Sequence, residues 1–232
     1  MSVIGVPESG SLLSLTESRA KDTSGRLSET DKDNAISTAI TRYSRHRPLT
    51  KILDIAGSGT NDINVPAEWV PEFSELRSVE YPVGQVPAEL LGADDFTVYK
   101  SPAGEKIRLL TQRPSAQETL RITITVLRTQ ESIPAVDLNS VADFAASLCL
   151  RTLASMYLDT SDPTIGADVV NYRSKSGEAT SLANKLEEQY NKHIGIKDDG
   201  SPPAASAVSS FTVDYPGGSD RLTHPRRQRD KR

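Results

Sequence analysis

Apolar positions along this chain change period twice, from helical to alternating and back. Residues 28–47 open with Ser28 and, three positions on, Asp31, the spacing of a capping box. Ala35, Ile36, Ala39, Ile40 and Tyr43 then fall on one helical face, and Pro48 stops the run. Arg42, Arg45, His46 and Arg47 crowd its last turn, where cations suit the helix dipole. Residues 137–159 contain no Gly or Pro and are rich in Ala and Leu, which predicts one long helix. Its polar residues Asp143, Ser147, Arg151 and Ser155 recur every fourth position in a narrow stripe. So wide an apolar surface must be covered by its own chain or by a neighbouring copy. A last helix is predicted over about residues 168–193, with Ala179, Leu182, Ala183, Leu186 and Tyr190 on one face and Gly195 as its stop.

Between these helices, residues 51–127 read as strands. Residues 119–127 alternate Leu120, Ile122, Ile124 and Val126 against Arg121, Thr123 and Thr125, so one face must be buried. Residues 95–100 and 105–110 flank Ser101-Pro102-Ala103-Gly104 as strand, turn and strand. Residues 51–56 and 62–65 flank Gly57-Ser58-Gly59-Thr60-Asn61, which suggests a hairpin. No Lys-Ser or Lys-Thr follows that glycine pair, so it reads as a turn and not a phosphate loop. Prolines 66, 71, 82 and 87 forbid a long helix between them. A helical turn after Trp69, a strand near residues 77–81 and a satellite core packed on the helices are expected there.

The expected fold is α+β, mainly α: about three principal helices around an inserted small antiparallel sheet. A polar N-terminal arm is expected over 1–27, ordering only on a partner although Leu12, Leu13 and Leu15 would suit a short helix. The core spans 28–195, and 196–232 form an extended C-terminal arm.

Composition narrows the function. Phe, Trp and Tyr make up only 5% of the 232 residues, which predicts a core small for the length. The net charge of −4 disfavours a general nucleic-acid binder, yet six of the last twelve residues are Lys or Arg. No uninterrupted apolar run reaches the roughly 18–20 residues of a bilayer span, and the N-terminus lacks the pattern of a signal peptide. A soluble chain made in the cytoplasm, with no membrane partner, is expected. Cys149, the lone cysteine, sits among Leu and Ala and reads as buried and inert. His46, His193 and His224 lie far apart, and neither metal-ligand spacing nor a recognisable acid–base pair is present in the sequence. No catalytic, metal or cofactor site is therefore assigned. In the C-terminal arm, Phe211, Val213 and Tyr215 alternate as a patch suited to adding a strand to another chain. The candidate partner-docking residues are Phe211, Tyr215, Arg226, Arg227 and Arg229.

Five segments share a further likeness: Tyr43-Ser44-Arg45-His46-Arg47-Pro48, Val65-Pro66-Ala67-Glu68-Trp69, Ser78-Val79-Glu80-Tyr81-Pro82, Tyr99-Lys100-Ser101-Pro102-Ala103-Gly104-Glu105-Lys106 and Gly166-Ala167-Asp168-Val169-Val170-Asn171-Tyr172-Arg173-Ser174-Lys175. In this order and spacing, over about residues 28–195, the chain resembles the head–tail connector proteins of tailed bacteriophages, also called adaptor or head-completion proteins. The resemblance implies a helical core with a β insertion and no enzymatic activity. It also implies a ring of twelve copies beneath the portal, at the head–tail junction of the virion. The ring would join tail or neck proteins and continue the DNA channel without reading sequence. Residues 196–232 would be the portal-binding arm. A ring needs two different patches on each subunit, and the central helix is the expected source of one. The alternative reading is a nucleic-acid-binding accessory protein that uses Arg221, Arg226, Arg227, Arg229, Lys231 and Arg232 for salt-sensitive contacts.

Overall fold

The computed structural model describes residues 11–22, 25–159 and 172–197, all within the first of two units, Met1–Pro202 and Pro203–Arg232. Four helices, α1 (Leu12–Ala20), α2 (Glu29–His46), α3 (Ala135–Asp159) and α4 (Tyr172–Ile194), are joined by six strands inserted between α2 and α3. The α+β, mainly α reading holds, with one helix more than expected.

The predicted capping box at the start of α2 is present, with Ser28 Oγ accepting from Asp31 N and Asp31 accepting from Ser28 N. The expectation of an arm over 1–27 gives way at Leu12. Ser11 caps α1 by accepting from Ser14 N, and Leu12 and Thr16 are fully buried in the helical core. Leu12 joins a cluster with Tyr43, Val141, Phe144 and Tyr190, so α1 is held by packing that a nine-residue helix could not supply alone.

α3 is the centre of the helical core, with α1, α2 and α4 all packed on it. Three of the four residues in its polar stripe are also partnered from within. Asp143 meets Arg19 of α1 at 2.7 Å, Ser147 Oγ donates to the Phe144 carbonyl, and Arg151 pairs with Glu187 of α4. One expectation is corrected here. Among the described residues, Ala135–Leu158 is by length and composition apolar enough to cross a bilayer, but more than half of its most apolar stretch is buried against its own chain. Val141, Ala142, Ala145, Ala146 and Leu153 are covered internally, while Val136 and Leu158 toward the two ends of α3 are exposed.

The insertion forms two sheets and not one. β1 (Leu49–Ala56), β6 (Thr119–Val126) and β3 (Leu76–Glu80) make one antiparallel sheet in the order β1-β6-β3; β2 (Asp62–Asn64), β5 (Gly104–Leu109) and β4 (Phe96–Ser101) make the other in the order β2-β5-β4. The inward rows of both, including Ile63, Ile107, Leu109, Val79, Leu120, Ile122 and Ile124, close a shared core. Residues 57–61 therefore link two sheets, and the expected hairpin is absent. Gly57 lies so near the backbone of Pro114 and Ser115 that a Cβ there would meet Ser115 O at 2.4 Å. That close approach carries the chain off β1 and across to β2. Trp69 is buried in the sheet core, not against the helices as expected, and its Nε1 donates to Glu105 at 2.6 Å.

Both ends of the insertion meet at Arg128. Its Nε donates to the Arg47 carbonyl at 2.6 Å, its Nη2 to the Pro48 carbonyl, its Nη1 to the Ser132 carbonyl, and its backbone N to Ser44 Oγ. The guanidinium thereby fills the orphan carbonyls where α2 ends and fixes the turn that leads into α3.

Candidate functional site

Polar side chains from three helices converge on one carboxylate. The last turn of α2 supplies Tyr43, with Arg47 just beyond it, the first turn of α3 supplies Asp137, and the last turn of α4 supplies His193. Tyr43 Oη donates to Asp137 Oδ2 at 2.5 Å; Arg47 Nη1 lies 2.9–3.0 Å from both oxygens; His193 Nε2 lies 2.7 Å from Oδ1. The Asp137 side chain is only 4% exposed. Burial alone would raise its pKa, but the hydrogen bonds from Tyr43, His193 and Arg47 outweigh it and hold the carboxyl below its usual value. Burial, and the bond to Asp137, push the Tyr43 hydroxyl up to about 12.

A second joint lies beside the first. Arg42 stacks over the Phe144 ring at 4.3 Å and donates to Glu187, which also receives Arg151, so one carboxylate ties α2, α3 and α4. His46 Nδ1 and Tyr190 Oη are 2.9 Å apart, and burial together with Arg42 lowers the His46 pKa.

A carboxylate, a histidine and a tyrosine in contact are the ingredients of acid–base chemistry, and they are not visible in the sequence because 90 or more residues separate Asp137 from Tyr43 and Arg47. The retrievable signal is the cation-rich end of both α2 and α4, which reads first as a dipole effect. The geometry argues for a structural role. Both Asp137 oxygens are already bonded by their own chain, leaving the buried carboxylate no free lone pair aimed at a cleft. One cleft, about 630 Å³, lies between the end of α2 and residues 71–77 and mixes Arg45, His46 and Arg77 with Glu72, Glu75 and Phe73. Another, about 620 Å³, is lined by Arg42, His46, Glu187, Asn191 and Lys192. Asp137 lines neither.

Cys149 is buried, and burial pushes its thiol up to about 11, in line with the inert reading. Among the described residues no group of three or more His, Cys, Asp or Glu could hold a metal ion. Phe211, Tyr215, Arg226, Arg227 and Arg229 lie outside the described residues, as do residues 160–171.

No protein-family model matches the chain, and no curated protein matches it. Among solved structures it is similar to a chain in the virion of a native gene transfer agent (GTA) particle, at 12% identity and a TM-score of 0.28. It is also similar to a chain in the neck of the empty GTA particle computed with C6 symmetry (13%, 0.30) and to one in the neck of the native particle computed with C12 symmetry (12%, 0.26). Each match covers 77% of this chain and 93% of the other. At TM-scores of this size the likeness assigns no role to any residue.

Proposed function

We propose that this chain is a structural virion protein: a ring of copies beneath the portal that joins head to tail and continues the DNA channel. The observation that carries the reading is where the connector-like segments sit. Tyr43 and Arg47 of the first bind Asp137. Trp69 of the second bonds Glu105 of the fourth. Val79 and Glu80 of the third end β3, in register with Ile122 and Arg121 of β6. Residues of four of the five segments are thus joints of a scaffold, as suits a protein whose work is shape and contact. In this reading nothing is catalysed, the portal ring and tail-side neck proteins are the partners, and DNA passes without sequence-specific contact. The basic end of the chain, with Phe211, Tyr215, Arg226, Arg227 and Arg229, grips the portal.

The test is loss of function in particles. Heads made without this protein should fail to retain DNA or to join tails, and adding the full chain should restore both. Removing residues 211–232 should leave a body that melts as before but no longer attaches to portal-bearing heads. Normal tail joining and DNA retention without the protein would overturn the reading. Tight binding of the isolated chain to DNA at moderate salt, without attachment to heads, would favour the nucleic-acid alternative.

A further inference from the structure

Two side chains of α2 reach across to α4. Arg42 donates to Glu187 and Asn191, and His46 meets Tyr190 with Nδ1 and Oη 2.9 Å apart. The second contact fixes a tautomer. Tyr190 is fully buried, and among the described residues its hydroxyl meets only His46 Nδ1. A buried hydroxyl that finds no acceptor keeps the full cost of leaving water. Oη therefore donates and Nδ1 accepts, which puts the ring proton of the neutral histidine on Nε2.

His46 lines both clefts at this end of the bundle, so protons reach it from solvent. A proton on Nδ1 turns the acceptor into a second donor and strands the Tyr190 hydroxyl in the core. The new charge would face Arg42 and Arg45 of α2, and Glu187, Glu188 and Lys192 of α4 with Lys197 beyond. Residues 71–77 present Glu72, Glu75 and Arg77. Two of these four carboxylates are already engaged, Glu187 by Arg42 and Arg151, and Glu75 by Arg77. We propose that the His46–Tyr190 pair is an acid-sensitive clasp across the α2–α4 seam, closed at neutral pH and opened in mild acid.

Burial, and after it the Arg42 charge, hold the folded His46 pKa below its ordinary value, the direction a clasp of this kind requires. The fold prefers the neutral ring. Its contribution is therefore complete above the ordinary histidine value of about 6.5 and is lost as pH falls through the lower folded value. Asp137, whose carboxyl titrates below the usual aspartate range, keeps its charge and its contact with His193 throughout. The last turn of α4 thus slackens at Tyr190 without leaving the bundle. What the clasp steadies is the end of that helix: Ile194 is buried, Gly195 turns at φ 85°, and Ile196 packs on the same core as Tyr190.

The full chain is followed by amide exchange, read as protection of residues 187–194, and by the nitrogen shifts of the His46 ring. The shifts should show an Nε2–H ring at about pH 7.5 and a titration midpoint below about 6.5. From about pH 7.5 to about pH 5.5, protection in the wild type should fall about threefold or more beyond the fall in His46→Gln, whose side-chain oxygen accepts from Tyr190 and takes no proton. Tyr190→Phe, with no hydroxyl to strand, should lose less protection than the wild type over the same range. His193 and His224 are common to all three chains, so the differences belong to His46. An Nδ1–H ring, a midpoint at or above about 6.5, or an equal fall in His46→Gln and wild type would each overturn the clasp. None of these outcomes touches the virion reading, because neither ring nor portal enters the measurement.

Discussion

Replacing Asp137 by Asn tests the central joint most directly. The substitution keeps the volume and removes the charge that Tyr43, Arg47 and His193 all address. Arg47 and His193 are about 40% exposed and can recover water, but Tyr43 is fully buried and cannot. Breaking a buried charge cluster by removing one partner costs about 3–5 kcal/mol. At about 2–4 °C per kcal/mol for a chain of this size, the melting temperature should fall by about 6–20 °C at neutral pH. The pH dependence carries a sign. The folded carboxyl titrates below its unfolded value, so its contribution is complete above the ordinary aspartate range, near pH 4, and is lost as pH falls through the folded value. Melts of wild type and Asp137→Asn, followed by calorimetry from pH 7 downward, should therefore converge in acid. A difference under about 1 kcal/mol at pH 7, or one that does not shrink on acidification, would refute the reasoning. Tyr43→Phe should cost about 1–3 kcal/mol on its own, and much less in the Asn background, because the two residues share one interaction.

Four further outcomes check other parts of the fold. Leu12→Ala should cost about 2–5 kcal/mol in urea unfolding, as expected of a core leucine; a change within about 0.5 kcal/mol would mean that α1 is not part of the core. Gly57→Ala should destabilise by about 1–3 kcal/mol because the added methyl meets backbone oxygens of Ser115 and Pro114 at 2.4 and 2.5 Å. Gly177→Ala, on α4 with nothing within 4 Å of the added carbon, should stabilise by up to about 1 kcal/mol, and equal effects at the two glycines would contradict this geometry. Cys149 should resist thiol reagents at pH 8 until the chain unfolds, and prompt labelling of the native protein would contradict its burial.

The sequence was most legible where one local rule decided the outcome. The Ser28–Asp31 cap, the alternation of β6, the Ser101–Gly104 turn and the long apolar α3 all depend on neighbours within a few residues. It was least legible where distant segments chose between partners. Residues 51–65 look like a hairpin because the turn signal is local, whereas the backbone of Pro114 and Ser115 that diverts them is nearly sixty residues away. The short α1 has weak propensity and gains its stability from Phe144, Tyr190 and the rest of a cluster no local window contains. The Asp137 joint was hidden for the same reason: each of its members has an adequate local explanation as a helix-end residue.

Arg128 gives the β insertion a single doorway. Because one guanidinium clasps both the strand that leaves α2 and the turn that returns to α3, the helices are indifferent to how much chain passes through that opening. Lengthening, trimming or replacing what lies beyond it would leave the bundle as it is. A lineage of such proteins could then remodel its sheet-borne surface to follow changing neighbours while inheriting the helical frame unaltered.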